Sequence, residues 1–265
     1  MKISIVTPSF NQAAYLDEAI ESVLGQRCDA LEYVIMDGGS TDGSVDIIRR
    51  HEVRLAHWTS GKDGGHYAAV NAGFSRTSGD VMAWLNADDK YLPWTFSVVA
   101  EVFEQLPEVE WITTRFPLRW DKRGRAVRCS PREGYAREAF QRGAYRPGEG
   151  REVIQQESTF WRRSLWERAG GLDPAYALAG DFELWARFFQ HAELVSVDTP
   201  LGGFRMHGDQ RSAEHRAQYF AEAERAWLAH GGSAPSPLAR FTKSPAKICR
   251  FNKNTEAWEL ETVRV

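Results

Sequence analysis

The sequence predicts an α/β fold with a mostly parallel, doubly wound sheet, and three observations carry that prediction. Short apolar runs alternate with stretches of helical spacing through roughly the first 100 residues, the rhythm of parallel strands joined by right-handed crossovers. Acids or glycines follow three of the first four apolar runs. The 265 residues, 43% of them apolar, suffice for one large α/β domain or two small ones with a substantial core.

Ile3 to Thr7 reads as a buried strand closed by Pro8, after which Leu16, Ala19, Ile20, Val23 and Leu24 recur at helical spacing. Leu31 to Met36 is a second strand. It ends at Asp37-Gly38-Gly39-Ser40-Thr41-Asp42-Gly43, a loop leading into Val45 to Arg50. Arg54 to Trp58 is a weaker strand; Tyr67, Val70 and Phe74 mark a helix face, and Val81 to Leu85 is the fourth strand. Pro93 to Leu106 is helical, Glu110 to Trp120 is extended, and Asp121-Lys122-Arg123-Gly124 makes a hairpin turn. Arg132 to Gly150 is charged and glycine-rich without firm periodicity, and is read as a short helix and a mobile loop of the kind that serves as a lid. Thr159 to Trp161 and helices near Ser164 to Ala169, Asp181 to His191 and Ser212 to His230 complete a globular domain, 1–230.

Beyond Gly231-Gly232 the character shifts, and 231–265 reads as an extension. Arg240, Lys243, Lys247, Arg250 and Lys253 are interleaved there with Phe241, Ile248 and Phe251. Two readings stand: a solvated tail packed back on the domain, or a peripheral contact with an anionic membrane surface through 238–253.

The net charge of -3 leaves no electrostatic footprint for nucleic acid. Three widely spaced cysteines, Cys28, Cys129 and Cys249, form no CxxC pair, which suits a reducing compartment better than a disulfide framework or a zinc site. The apolar run at the N-terminus is too short for a signal-peptide core, and no run approaches the roughly 20 residues a spanning helix needs. The expected location is cytoplasmic.

In a doubly wound sheet, ligands bind outside the carboxyl ends of the strands, and Thr7, Asp37 and Asp88 all fall at predicted strand ends. Asp37 and Asp42 also have a plain reading as turn residues. The loop Asp37 to Ser44 fails as a calcium loop, because Gly39 and Thr41 stand where oxygen ligands are needed. Neither GxGxxG nor GxxxxGK[ST] occurs, so hydride transfer and ATP hydrolysis lose their usual support. In Trp84-Leu85-Asn86-Ala87-Asp88-Asp89 an apolar strand delivers two acids to low-dielectric surroundings, a costly arrangement unless a cation or a donor compensates. Asp181 begins a helix, where the dipole favours acids; at a cleft it would also serve as a general base. His207 is read either as a loop histidine or as a metal ligand.

The strings SIVTPSFNQAAYLDEAIESVLGQ, YVIMDGGSTDGSVDII and KDGGHYAAVNAGFSRTSGDVMAWLNADD resemble, in order and spacing, the nucleotide-sugar half of family-2 glycosyltransferases, inverting enzymes of the GT-A fold. QQESTFWRRSLWERAGGLD, GDFELWARF and GGFRMHG resemble the acceptor half of the same family, which divides the domain into 1–105 and 106–230. The resemblance implies that Thr7, Pro8 and Asp37 hold the uracil and ribose, with Asp63 near the base. It implies that Asp88 binds a divalent cation, Mn²⁺ or Mg²⁺, and the diphosphate, with a second metal contact from His207. Asp181 would be the catalytic base, and Asp89, Gln156, Glu157 and Trp161 would face the acceptor or donor sugar.

Two positions depart from the family pattern. Asn86 replaces the first acid of Asp-x-Asp, and Gly180 stands where an acid often precedes the base. Asn86 keeps an oxygen acceptor and gains N–H donors, so it is expected to bind a ribose hydroxyl or a metal-bound water. The absence of Gln-x-x-Arg-Trp argues for one sugar per acceptor. The implied partners are a nucleotide-sugar donor and a glycan or lipid-linked glycan acceptor of surface polysaccharide or lipopolysaccharide assembly, which would bring the enzyme to the inner membrane face. A catalytically weakened sugar-nucleotide-binding homologue is the competing reading. A nucleotidyltransferase would want a glycine-rich basic loop after the first strand, which Pro8-Ser9-Phe10-Asn11 does not supply.

Overall fold

The computed structural model describes residues 1–28, 30–147, 153–208, 210, 214–232 and 243–265. β1 (Ile3–Ser9) runs through the main sheet, buried along its whole length, between β2 (Leu31–Asp37) and β4 (Val81–Trp84). A strand covered on both faces has no solvent side for polar residues, which is why β1 and β4 read as unbroken apolar runs. Pro8 is tolerated in β1 because β4 pairs only as far as Val6, so the missing N–H falls beyond that ladder. Outside β2 lies β3 (His57–Ser60), also parallel.

The crossovers are α1 (Ala13–Leu24), α2 (Ser44–His51) and α3 (His66–Phe74). In α1 the residues Leu16, Ala19, Ile20 and Val23 share one stripe and are all buried. After β5 (Lys90–Tyr91) and α4 (Thr95–Gln105), β6 (Trp111–Thr114) joins the same sheet. Between β4 and β6 sits β9 (Phe160–Arg162), antiparallel to both. A smaller sheet is ordered β5, β11 (Gly202–Arg205), β7 (Leu118–Trp120), β8 (Ala126–Cys129). The expected hairpin turn joins its last two strands: Asp121 accepts the N–H groups of Arg123 at 2.9 Å and Arg125 at 3.0 Å, and Gly124 takes φ 73°.

Three expectations change. Within 132–147, Tyr135, Ala136, Phe140 and Tyr145 are core residues around α5 (Arg137–Gln141), so this stretch is packed and not a mobile loop. Its apolar residues are too few to reveal a period among the charges; residues 148–150 of the same stretch lie outside the described ones.

The segment expected as an extension continues the main sheet. β10 (Leu194–Val197) pairs with β6 on one side and with β12 (Pro245–Asn252) on the other, and β13 (Ala257–Arg264) closes the edge. Ile248 and Cys249 are buried; Arg250 is engaged by Asp198 at 3.0 Å and Glu261 at 2.8 Å, which leaves Phe251 as the exposed aromatic of β12. Residues 238–242 of the stretch expected at the membrane lie outside the described ones. Among those described, no helix is long and apolar enough to cross a membrane.

Trp161 does not face a sugar. Its side chain is fully buried in an aromatic cluster, with ring centroids 5.5 Å from Trp84, 5.8 Å from Trp185 on α7 (Gly180–His191) and 5.9 Å from Trp166 on α6 (Arg163–Ala169). Trp161→Ala is therefore expected to lower stability by about 3–5 kcal/mol, read from the urea midpoint. A change of a few tenths would restore the cleft-facing assignment.

Candidate active site

The first wall of the site is built where β1, β2 and β3 end. Asp42 accepts the N–H of Ala13 at 2.8 Å and of Ser44 at 3.1 Å, so one carboxylate serves the first residues of both α1 and α2, whose own N-caps make no side-chain bond. Asp37 accepts from the N–H of Gly39 and Ser40 and from the hydroxyls of Ser40 and Ser60. The turn reading of both acids is thus what the structure shows. Thr7 is buried with its hydroxyl 2.9 Å from that of Tyr33, and Pro8 is buried beside it. Asp63 is exposed on the loop before α3. Gly38 lets this loop approach: a β-carbon there would lie 3.2 Å from the Asp63 carboxylate and 3.3 Å from the ring of Phe10. Phe10, 60% exposed between these loops, is a flat apolar face that the sequence reading passed over.

At the end of β4, Asp89 turns inward. It is 1% exposed; Oδ1 accepts the Arg205 N–H at 2.8 Å and Oδ2 accepts the Asn86 amide at 3.1 Å. Its expected sugar-facing role gives way to an anchoring one. Burial, with the charges of Asp88 and Glu157 beside it, pushes its carboxyl well above the usual range. The Arg205 side chain is fully enclosed, donating to the Asp88 carbonyl at 2.6 Å and to Glu18 at 2.6 Å, with the Tyr15 ring 5.1 Å away. Two residues on, His207 Nε2 meets Asp88 Oδ2 at 2.8 Å.

Among the described residues no three His, Cys, Asp or Glu side chains converge on a metal position. Asp88 and His207 supply two adjacent ligand atoms, a hard oxygen and an imidazole nitrogen, which suit a divalent ion that completes its shell from diphosphate and water. Asn86 Oδ1 is buried nearby without a partner.

The opposite wall carries Asp181 at the start of α7. Glu222, on α8 (Arg216–Ala229), accepts the N–H groups of Ala177, Leu178 and Ala179 at 3.0, 2.8 and 3.0 Å and so fixes the turn that leads into α7. Gly180 has a local cause: a β-carbon there would lie 2.6 Å from the ring of Tyr67, whose hydroxyl donates to the Leu178 carbonyl at 2.9 Å. Asp181 lines a narrow recess with Phe182, Trp185, Tyr145 and Tyr219. Its Oδ1 is buried without a hydrogen-bond partner. Burial pushes its carboxyl up to about 6, against the pull of the Phe182 N–H and its own.

Gln156 and Glu157, in a 3₁₀ turn, lie between the walls. Gln156 donates to the Trp84 carbonyl at 2.6 Å, and Oε1 of each residue is buried without a partner. Burial pushes Glu157 up to about 8, and it feels Asp181 and Asp88 alike. Glu157 is thus within electrostatic reach of both acids singled out at separate strand and helix ends. Phe10, Arg205 and Glu222 were missed in sequence; Arg205 stands in the quoted GGFRMHG string, whereas nothing local marks Glu222.

A GT-A sheet with buried acids gathered near the ends of its strands defines a class of sugar-transferring proteins. The family model described as Glycosyl transferase family 2 matches residues 4–168, more than half of the chain, and the protein belongs to that family. An uncharacterized glycosyltransferase of Mycobacterium tuberculosis is 28% identical over 203 residues, 76% of this chain and 74% of the relative. TuaG of Bacillus subtilis, named for teichuronic acid biosynthesis, is 34% identical over 92 residues, 34% of this chain and 36% of its own. Among solved structures, S. aureus TarS 1-349 in complex with UDP-GlcNAc superposes with a TM-score of 0.65 at 17% identity, over 91% of this chain and 69% of that one. A longer TarS chain is spanned over 44% of its length. The mannosyltransferase PcManGT of Pyrobaculum calidifontis, in complex with GDP-Man and Mn²⁺, gives a TM-score of 0.62 at 20% identity over 90% of this chain and 67% of that one.

Because its folded value is raised, Glu157 contributes stability that is complete below about 4.5 and is lost as pH rises through about 8. Glu157→Gln, neutral throughout, is expected to run parallel to the wild type below that window. Through it, the difference in Tm grows in the variant's favour and levels off above about 8; a Tm difference independent of pH would mean that Glu157 is not buried as described.

Proposed function

We propose that the protein transfers one hexose from a UDP-sugar to an acceptor hydroxyl with inversion at the anomeric carbon. The observation that carries this reading is Asp181: a buried carboxylate with one unpartnered oxygen, raised to about 6, in a recess lined mainly by aromatic side chains. A base poised near the working pH is the state that favours proton removal from a hydroxyl. Asp181 takes the acceptor proton as that oxygen attacks from the face opposite the leaving diphosphate. Asp88 and His207 would hold a divalent cation, Mn²⁺ or Mg²⁺, which would supply positive charge beside the leaving diphosphate. Phe10 stacks on the base beside Asp63, with Asp37 and Pro8 bordering the ribose. Asn86 Oδ1, together with Gln156 and Glu157, presents acceptors to sugar hydroxyls.

TarS with UDP-GlcNAc and PcManGT with GDP-Man and Mn²⁺ support a nucleotide-sugar donor and a cation. The name of TuaG supports a surface-glycan acceptor, and with it a proposed site of action at the inner membrane face. The unpartnered Oδ1 of Asp181 weighs against an inactive binding homologue, because a buried polar atom without a partner costs stability.

Asp181→Asn is expected to lower kcat by about 10²- to 10⁴-fold with little change in UDP affinity, and to abolish the acidic limb of the pH–rate profile near pH 6. A donor panel of UDP, GDP and dTDP sugars read by thermal shift with Mn²⁺ tests the site itself; no stabilisation by any nucleotide would sink the reading.

The amide at Asn86 sharpens the metal prediction. It donates to Asp89, so Asn86→Asp sets two carboxylates against each other and should lower Tm without metal while tightening Mn²⁺ binding. Asp88→Asn should weaken Mn²⁺ binding and turnover together. The reverse ranking in a Mn²⁺ titration would move the ligand role to residue 86.

A further inference from the structure

The small sheet has an open face that the transfer chemistry leaves unused. Arg119 in β7 is opposite Phe204 in β11 and, on its other side, opposite Arg128 in β8. Its neighbours in sequence, Leu118 and Trp120, are buried, so strand alternation sends Arg119 to the other face. Like charges directly opposed on adjacent strands repel, with Cβ atoms about 5 Å apart. Among the described residues Arg119 has no carboxylate within ion-pair distance. Its guanidinium contacts Met206 Sδ at 3.9 Å and lies 6.0 Å from the Phe204 ring centroid. Arg125, in the adjoining turn, is by contrast neutralised by Asp121 at 2.7 Å.

The position of Arg119 relates it to the cleft. It is the cation whose charge reaches buried Glu157, and β11, its strand partner, continues directly into Met206 and His207. A guanidinium with no carboxylate within ion-pair distance, facing a second guanidinium and flanked by an aromatic ring and a thioether, suits a ligand that joins an oxyanion to an apolar or sugar-ring body. We infer that this face, centred on Arg119, binds the acceptor, and that the acceptor carries a phosphate or carboxylate close to the hydroxyl that is glycosylated. The inference rests on the transferase reading and names the acceptor class for the same site.

The test uses the full chain saturated with UDP and Mn²⁺, so that the diphosphate position is filled. Glycerol phosphate, glucuronate and neutral glycerol are titrated separately, with binding read by calorimetry or ligand-observed NMR. Wild type, Arg119→Gln, the double variant Arg119→Gln/Arg128→Gln and a control, Arg49→Gln on the exposed face of α2, are compared. At least one anion should bind the wild type and the control, bind Arg119→Gln about tenfold or more weakly, and weaken further in the double variant. Whether phosphate or carboxylate is the recognised group follows from which anion shows the loss. The inference is overturned if neither anion binds the wild type, if Arg119→Gln binds as the wild type does, or if glycerol binds equally well. Binding seen only to phosphatidylglycerol vesicles, and lost in Arg119→Gln, would overturn it in favour of a membrane-facing role. Failure of UDP to bind the wild type sinks the transferase reading and this inference with it, whereas intact UDP binding with no effect at Arg119 sinks this inference alone.

Discussion

The cleft depends on the enclosure of one arginine. Arg205 is 1% exposed, and its donors reach Asp88, Glu18 and, through its backbone, Asp89. A guanidinium buried without such acceptors would cost several kcal/mol, so the two elements that supply them are held against the strand that carries the arginine. The end of β4, the second turn of α1 and β11 of the small sheet are joined in this way. The 2.8 Å approach of His207 to Asp88 follows from that clamp. It also explains why two adjacent acids have opposite fates: Asp89 is consumed inside, which leaves Asp88 for the cleft.

The far wall is fixed by a different device. Glu222 gathers three consecutive N–H groups ahead of α7, and burial, which would raise its carboxyl, is outweighed by the bonds from Leu178, Gln218, Ala179 and Ala177 that hold it below the usual range. Asp181 follows two residues after that anchor, with Tyr67 packed where a side chain at 180 would otherwise stand. Between the walls, Asp88, Asp89, Glu157 and Asp181 crowd negative charge into a space of low dielectric. Burial raises three of them, so the cleft favours any proton or cation that enters it.

What could be read from the sequence divides by the range of the interaction. The βα alternation was visible because buried parallel strands impose an apolar run locally, and the acids at 37, 88 and 181 were visible because they interrupt or follow such runs. Trp161 was misplaced because an aromatic in a short strand has the same local signature whether it meets a sugar or three other indoles. The partnership of Arg205 with Glu18 spans 187 positions, and that of Glu222 with the turn before α7 spans more than 40; no periodicity records either. The strand character of 245–264 was hidden by charge, because Arg250 and Lys247 look solvated until Asp198, Glu261 and Thr262 are seen opposite them.

The sheet order β13, β12, β10, β6, β9, β4, β1, β2, β3 also sets an order of assembly. Strands β1 to β4 lie within about the first 84 residues, so their partners are all present early in the chain. At the other end of the sheet, β10 has one edge open until β12 pairs with it, and the backbone of Ser244 pairs with that of Val265. An open strand edge is a template for pairing with another chain. Until β12 and β13 are in place, the free edge of β10 is therefore the part of the sheet most open to a neighbouring chain.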